Sequence, residues 1–112
     1  MNGYELFNKA ILRLGYSDAV KDKLLTGAKE FINQILIDLN LKTIESLADV
    51  FSYDDRTTDG VCCGVAMLLA LSESDGEKHK IFCEIYNAKR GMLLSKNSKI
   101  EDVIPIVEGG EN

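Results

Sequence analysis

This sequence of 112 residues has neither the several histidines common in zinc sites nor the clustered basic residues of a nucleic-acid-binding surface. It has one histidine, and 18 acidic residues outnumber 13 basic ones, which gives a net charge of −5. Phosphate binding needs clustered Lys and Arg, whereas the basic residues here alternate with acids, as in 18–23 and 77–84. The composition argues against sequence-specific nucleic-acid recognition and gives no reason to expect a metal or another cofactor.

A long hydrophobic run and a cationic leader are also missing. The longest apolar stretch, residues 61–71, is interrupted by Gly64 and is too short to cross a bilayer. The first residues lack the charged and then apolar order of a secretory signal. Three cysteines make an odd number, which suits a reducing compartment better than a disulfide framework. We therefore expect a soluble intracellular protein without a membrane partner.

Helical periodicity is the main pattern that the sequence does contain. The first helix has apolar residues at three- and four-residue spacings and ends at Gly15, a natural left-handed cap. A second helix, capped by Ser17 or Asp18, should continue to about Leu39. The pattern predicts an all-α fold: a small bundle of four principal helices with a long acidic loop and an extended C-terminal tail. Residues 1–94 form the bundle domain and residues 95–112 the tail.

The last two predicted helices differ sharply in polarity. Residues 61–72, capped by Asp59, are apolar almost all round, and Gly60 and Gly64 are spaced for close helix contact. This predicts a central helix, with space around the small residues filled by three leucines: Leu68, Leu69 and Leu71. The fourth helix follows Ser74 or Asp75 and runs to about Leu94. Its expected buried stripe consists of Ile81, Phe82, Ile85, Tyr86, Met92 and Leu93. Asp75 and Gly76 should supply the tight reversal of an antiparallel hairpin.

Two segments outside the helices are candidate partner-binding surfaces. The connection 41–58 is longer than most loops in compact domains, which is typical of a functional or mobile segment. Its acidic candidates are Asp49, Asp54 and Asp55. The tail surrounds Pro105 with apolar residues that a free chain exposes at a cost, and its candidates are Ile100, Val103, Ile104, Ile106 and Val107. The tail either docks in extended form on a partner, by adding to a sheet edge for example, or packs back on its own bundle.

Three groups of residues could suggest a metal site or a catalytic site, and for each a structural role is the simpler interpretation. Cys62 and Cys63 are adjacent, so on a helix they diverge by about 100° and suit buried packing better than one metal. His79 and Cys83 share a helical face, but they supply only half a zinc site and lack an orienting third group for catalysis. Asp54, Asp55 and Asp59 lack the spacing of a calcium loop. We predict no catalytic, cofactor or metal residue and no enzymatic activity.

Three stretches of the chain carry a family resemblance: "SDAVKDKLLTGAKEFINQILIDLN", "GVAMLLALSESDGEKHKIFCEIYNAKRG" and "IEDVIPIVEGG". With them, residues 17–108 resemble the small helical head-to-tail connector proteins of tailed bacteriophages, also called adaptors or head-completion proteins, most strongly over residues 64–86. The positions that carry it over are Asp75, Gly76 and the packed face 64–71. The pair Cys62–Cys63 and the acidic segment 49–59 depart from the family. The resemblance therefore does not say which residues contact a partner.

The resemblance implies a structural protein without an active site. Such a protein assembles as a ring on the portal vertex, around the DNA exit channel. Its partners would be the portal protein and neighbouring copies, with a tail-side stopper protein as a further candidate. It would lie in the virion neck after assembly and in the bacterial cytoplasm before. The alternative is a stand-alone helical binding or regulatory module of a prophage or bacterial genome.

Overall fold

The fold is helical, as the periodicity predicts. The structure is a computed structural model that describes residues 1–103, with side chains described up to residue 95. That part of the chain forms five α-helices, not four: α1 (Gly3–Leu14), α2 (Asp18–Leu25), α3 (Ala28–Asp38), α4 (Asp55–Ser72) and α5 (Gly76–Val103). It contains no β-strand, and its only bridge of strand type pairs Asn2 with Val50.

Helix α1 is closed by caps at both ends. The Asn2 side chain accepts a hydrogen bond from the backbone N–H of Glu5, and the Glu5 carboxylate accepts one from the Asn2 N–H, both at 2.9 Å. This capping box satisfies two amides that have no partner inside the helix. At the other end Gly15 adopts φ 72°, the left-handed cap that its position predicts.

The single helix predicted from Asp18 to Leu39 is wrong, because a turn at Thr26 and Gly27 divides it into α2 and α3. Ser17 caps α2 by accepting from the Val20 N–H, and the Gly27 N–H bonds back to the Leu24 carbonyl. Thr and Gly both have poor helix propensity. The apolar spacing continues through the break because α2 and α3 contribute to one core, so periodicity alone conceals it.

Helix α4 begins earlier than predicted, at Asp55. Asp54 is its cap, since its carboxylate accepts from the Thr57 N–H at 2.8 Å. Asp59, the expected cap, lies inside the helix. The error arises because residues 55–60 are polar, and such a turn has no apolar stripe to reveal it.

The prediction of a central, buried helix is confirmed for α4. It packs against α1, α3 and α5, and every residue from 60 to 66 is buried. A methyl group on Gly64 would lie 2.8 Å from both Ile35 and Tyr86, so only glycine allows this approach. Leu68 and Leu69 are buried as expected, whereas Leu71 is 57% exposed and does not fill the core.

Helices α4 and α5 form the predicted antiparallel hairpin. Gly60 contacts Leu93, and Gly64 contacts Tyr86. The reversal differs in detail, because the residue with positive φ is Ser74 at 56°, not Gly76. Asp75 then accepts from the Lys78 N–H at 3.3 Å and so caps α5.

Helix α5 is longer and less buried than predicted. It continues past Leu94 to Val103, so the extended tail expected from residue 95 is helical as far as 103. Residues 104–112 lie outside the described part of the chain. Only Tyr86 and Leu93 of the expected stripe are buried, and Phe82 is half-buried. Three further members are exposed: Ile81, Ile85 and Met92.

Candidate protein-binding surfaces

The loop between α3 and α4, residues 39–54, is fastened to the helical bundle. The Asn33 amide pairs with both backbone groups of Ile44, at 2.8 Å and 2.9 Å. The Phe51 N–H donates to the Met1 carbonyl, and Leu47 accepts from the Tyr4 N–H. These bonds join the loop to α3 and to the start of α1, so the loop presents its surface from fixed anchor points.

Two of the three acidic candidates, Asp49 and Asp54, lie in this loop and bond to nearby backbone. Asp49 accepts from the N–H groups of Glu45 and Ser46 at 2.9 Å and 3.1 Å, and Asp54 caps α4. Both carboxylates therefore shape the loop. Asp55 is exposed in the first turn of α4. Partner binding by these residues stays a prediction.

The tail candidates are located only in part. Ile100 and Val103 fall within the C-terminal stretch of α5. Ile104, Ile106 and Val107 lie beyond the described residues, and their role in binding stays a prediction.

An apolar depression lies between α3, α4 and α5. This surface, which we call the α3–α5 groove, has a volume of about 540 Å³. Its apolar lining comes from all three helices: Ile35, Ile37, Met67, Leu68, Cys83 and Tyr86. Ile37 is 64% exposed at its edge, and Met67 and Cys83 are half-buried. An accessible pocket lined in this way suits an apolar segment of a partner.

Polar residues mark the rim of the α3–α5 groove. Asp38 on α3 accepts hydrogen bonds from the Tyr86 hydroxyl at 2.6 Å and from Arg90 Nε at 2.7 Å, with Arg90 Nη2 on its second oxygen at 3.2 Å. Such a two-point Arg–carboxylate contact fixes direction as well as distance. Gln34 and Asn87, both exposed, place amide groups on the α3 and α5 sides.

The electrostatics of this rim keep Asp38 charged. The hydrogen bond from Arg90 lowers the pKa of Asp38, and the Tyr86 hydroxyl acts in the same direction. Burial raises the pKa of Tyr86, and the neighbouring Asp38 raises it further. Tyr86 therefore stays protonated and donates to a carboxylate. The network joins α3 to α5 and holds the groove at a defined width.

A second polar cluster joins α1, α4 and α5. Asp59 lies between Arg13 Nη2 at 2.6 Å and Lys89 Nζ at 2.8 Å, while Arg13 Nη1 donates to Cys63 Sγ at 3.1 Å. Burial opposes the charge of Asp59, but the hydrogen bonds from Lys89 and Arg13 outweigh it and hold its pKa below the ordinary value. Asp59 is thus engaged by two cations, which leaves it poorly placed to ligate a third.

The two adjacent cysteines are packing residues, as their spacing predicts. Cys62 is 1% exposed and Cys63 is 3% exposed. Burial raises the pKa of the Cys62 thiol to about 11 and also raises the pKa of Cys63. Both therefore stay as neutral thiols at physiological pH, which suits small apolar side chains.

His79 and Cys83 form hydrogen bonds with different partners and not with each other. His79 Nδ1 lies 3.0 Å from the Met67 carbonyl, and because a carbonyl only accepts, Nδ1 carries a proton there. Cys83 Sγ accepts from the Asn87 amide at 3.7 Å. Across the described residues, no group of three or more His, Cys, Asp or Glu side chains could hold a metal ion.

Helix α5 carries a second exposed apolar surface. Ile81, Ile85 and Met92, which we call the α5 row, are 50%, 37% and 61% exposed. At about 100° per residue, they lie on one flank of the buried line through Tyr86 and Leu93. Cys83 and Arg90, which line the groove, lie on the other flank. One helix therefore borders two different surfaces, the exposed α5 row and the α3–α5 groove.

The sequence pattern does not predict the groove, and it predicts burial of Ile81, Ile85 and Met92, which are exposed. The groove depends on how α3 lies against the hairpin, which spacing along the chain does not reveal. One signal was present, because Ile37 is an apolar residue off the stripe that its neighbours Ile32, Ile35 and Leu36 form. An apolar side chain on the polar side of an amphipathic helix marks a candidate contact.

Comparisons of this chain with protein-family models, curated proteins and solved structures found no match. None of the helices within residues 1–103 combines the length and apolarity needed to span a bilayer.

Proposed function

We propose that this protein is a structural head-to-tail connector of a tailed phage or prophage, which assembles as a ring on the portal vertex. The observation that carries the proposal is the pair of exposed apolar surfaces on opposite flanks of α5. The α3–α5 groove lies on one flank and the α5 row on the other. The helical fold agrees with the class of protein that the sequence resembles.

Ring assembly requires surfaces of this kind. In a closed ring each copy contacts its two neighbours through two different and complementary surfaces. A single apolar surface would favour a two-fold dimer instead. The groove is concave, whereas Ile81, Ile85 and Met92 form a row on a helix, so their shapes differ. Because they share α5, one rigid helix sets the angle between successive copies.

The portal protein is the proposed template for the ring, and the acidic residues Asp49 and Asp55 are candidate contacts with it. Both surfaces on one copy are small, so isolated chains should associate weakly, whereas copies held side by side on a portal gain avidity. A tail-side stopper protein is a further candidate partner. The proposed location is the virion neck after assembly and the host cytoplasm before it. The proposed role involves no catalysis.

Multi-angle light scattering of the chain, with and without portal protein from the same genome, tests the proposal. We expect a mass close to one copy for the free chain and a discrete complex holding a fixed number of copies on the portal. If the mass of the portal does not change when this chain is added at high concentration, the connector role is overturned. A stand-alone helical binding module, for which the groove is also suited, would then be the better reading.

Matched variants connect this assay to the α5 row. Met92→Lys places a charge in that row, where the side chain is 61% exposed and contributes little to the core. Leu12→Lys is the control, because Leu12 is 78% exposed on α1 and belongs to neither surface. Met92→Lys should reduce the number of bound copies, whereas Leu12→Lys should leave it unchanged. Equal behaviour of the two variants would remove the α5 row from the ring contact.

A further inference from the structure

We propose that the α3–α5 groove binds the C-terminal segment, residues 104–112, of a second copy of this chain. The inference rests on the proposed ring, since it names what fills the groove there: the tail of the neighbouring copy, while the α5 row is left to make a separate contact. It also settles which surface accepts the tail, a question on which the sequence favours neither a partner nor the chain's own bundle.

The length of the tail decides between its own groove and that of a neighbour. Val107 follows the last helical residue, Val103, by four positions, so it reaches at most about 14 Å from it. Arg90 lies thirteen residues back along α5, about 20 Å away, and Cys83 about 30 Å away. The apolar part of the tail therefore cannot enter the groove of its own copy. It can enter a groove that another copy brings close.

The chemistry of the segment matches the groove. Its sequence, Ile-Pro-Ile-Val at 104–107, offers three branched apolar side chains to a lining of Ile35, Met67 and Tyr86. The proline restricts the backbone before binding, which reduces the entropy lost on docking. The groove volume of about 540 Å³ falls within the range of about 300–1,000 Å³ that bound ligands usually occupy.

The rim supplies partners for the backbone of such a segment. Gln34 on α3 and Asn87 on α5 each carry an amide that donates and accepts, so an extended chain between them can pair its N–H and C=O groups. The tail cannot add to a sheet edge within residues 1–103 of another copy, because those residues contain no β-strand. Side-chain insertion between helices is the remaining mode.

Disulfide trapping of the full chain tests the docking directly, because Cys83 lines the groove and the other two cysteines are buried. Ile106→Cys places a thiol in the tail. Under oxygen with a copper–phenanthroline catalyst, the Ile106→Cys and Cys83 thiols would lose two protons and two electrons to dioxygen and form one disulfide. We expect covalent dimers and higher multimers on a non-reducing gel, which the added substitution Cys83→Ser abolishes.

Every outcome of the trapping bears on the proposal. An internal disulfide in a monomer would show that the tail returns to its own groove and would overturn it. A yield no higher than that of the exposed control Leu12→Cys would overturn it as well. If multimers are trapped but the chain does not bind portal, the tail–groove contact is retained and only the connector role is overturned. If the chain binds portal but no multimers are trapped, the connector role is retained and the tail–groove contact is overturned.

A non-covalent measurement uses the edge of the groove. Ile37→Lys and Leu12→Lys place the same charge in the last turn of a helix, at apolar residues that are 64% and 78% exposed. Sedimentation equilibrium at high concentration should show self-association weakened about tenfold or more by Ile37→Lys, the loss expected for one buried apolar contact. Leu12→Lys should leave it unchanged. Equal dissociation constants for Ile37→Lys and the unsubstituted chain would contradict the proposal.

Discussion

Helices α4 and α5 lie side by side in one hairpin but differ in what they contribute. Helix α4 is buried on nearly every side from Gly60 to Ala70, and small residues let α3 and α5 approach it closely. Among the α5 side chains up to residue 95, only Tyr86 and Leu93 are fully buried. Ile81, Ile85 and Met92 are exposed on one flank, and half-buried Cys83 lines the groove on the other. Stability is therefore concentrated in α4, whereas the surfaces suited to partners are concentrated on α5.

Two leucines of α4 should give the largest difference between a buried and an exposed position. Leu69 is fully buried and Leu71 is 57% exposed, so the same deletion should have different costs two residues apart. We expect Leu69→Ala to lower the free energy of unfolding by about 2–5 kcal/mol and Leu71→Ala by less than about 1 kcal/mol. Denaturant melts of both variants measure the difference. Equal costs would mean that α4 is not the centre of the core.

Two glycines should change stability in opposite directions. A methyl group at Gly64 meets Ile35 and Tyr86 at 2.8 Å, so Gly64→Ala should cost about 1–3 kcal/mol. Gly91 lies exposed within α5 with open space around it, so Gly91→Ala should stabilise by about 0.5–1 kcal/mol through helix propensity. Thermal melts report both changes. A destabilised Gly91→Ala variant would show that the outer face of α5 is packed.

The smallest expected effect concerns the tie between α3 and α5. Tyr86→Phe removes the hydroxyl that donates to Asp38 and should cost about 1 kcal/mol at pH 7. Because Asp38 has a lowered pKa in the folded state, its contribution is present above its ordinary pKa and is lost as the pH falls through the folded value. The cost of Tyr86→Phe, measured by denaturant melts, should therefore shrink below about pH 4.

Tyr53→Phe is the matched control for that pH series. The Tyr53 hydroxyl donates to the Lys42 carbonyl at 3.2 Å, an acceptor that does not titrate. Its cost should stay constant as the pH falls. A Tyr86→Phe cost that is equally constant would mean that the charge of Asp38 does not contribute to the tie.

The sequence predicts those parts of the fold that depend on local chemistry. Gly15 ends α1 because a left-handed cap needs no distant contact, and the apolar composition of residues 61–70 places α4 in the core. The sequence pattern does not predict the break at Gly27, because apolar periodicity continues across it. It does not predict the start of α4 at Asp55 either, because residues 55–60 have no apolar periodicity. The groove cannot be predicted from the sequence pattern, because it depends on the position of α3 beside Met67 and Cys83.

Polar ties between α5 and the rest of the bundle also make its position dependent on salt. Lys78 Nζ donates to the Leu14 carbonyl at the end of α1, Lys89 pairs with Asp59 of α4, and Arg90 pairs with Asp38 of α3. At 1 M salt the screening length falls to about 3 Å, and half-exposed ion pairs weaken while apolar burial does not. High ionic strength should therefore loosen α5 without unfolding α4, and in the proposed ring this would alter the angle between neighbouring copies.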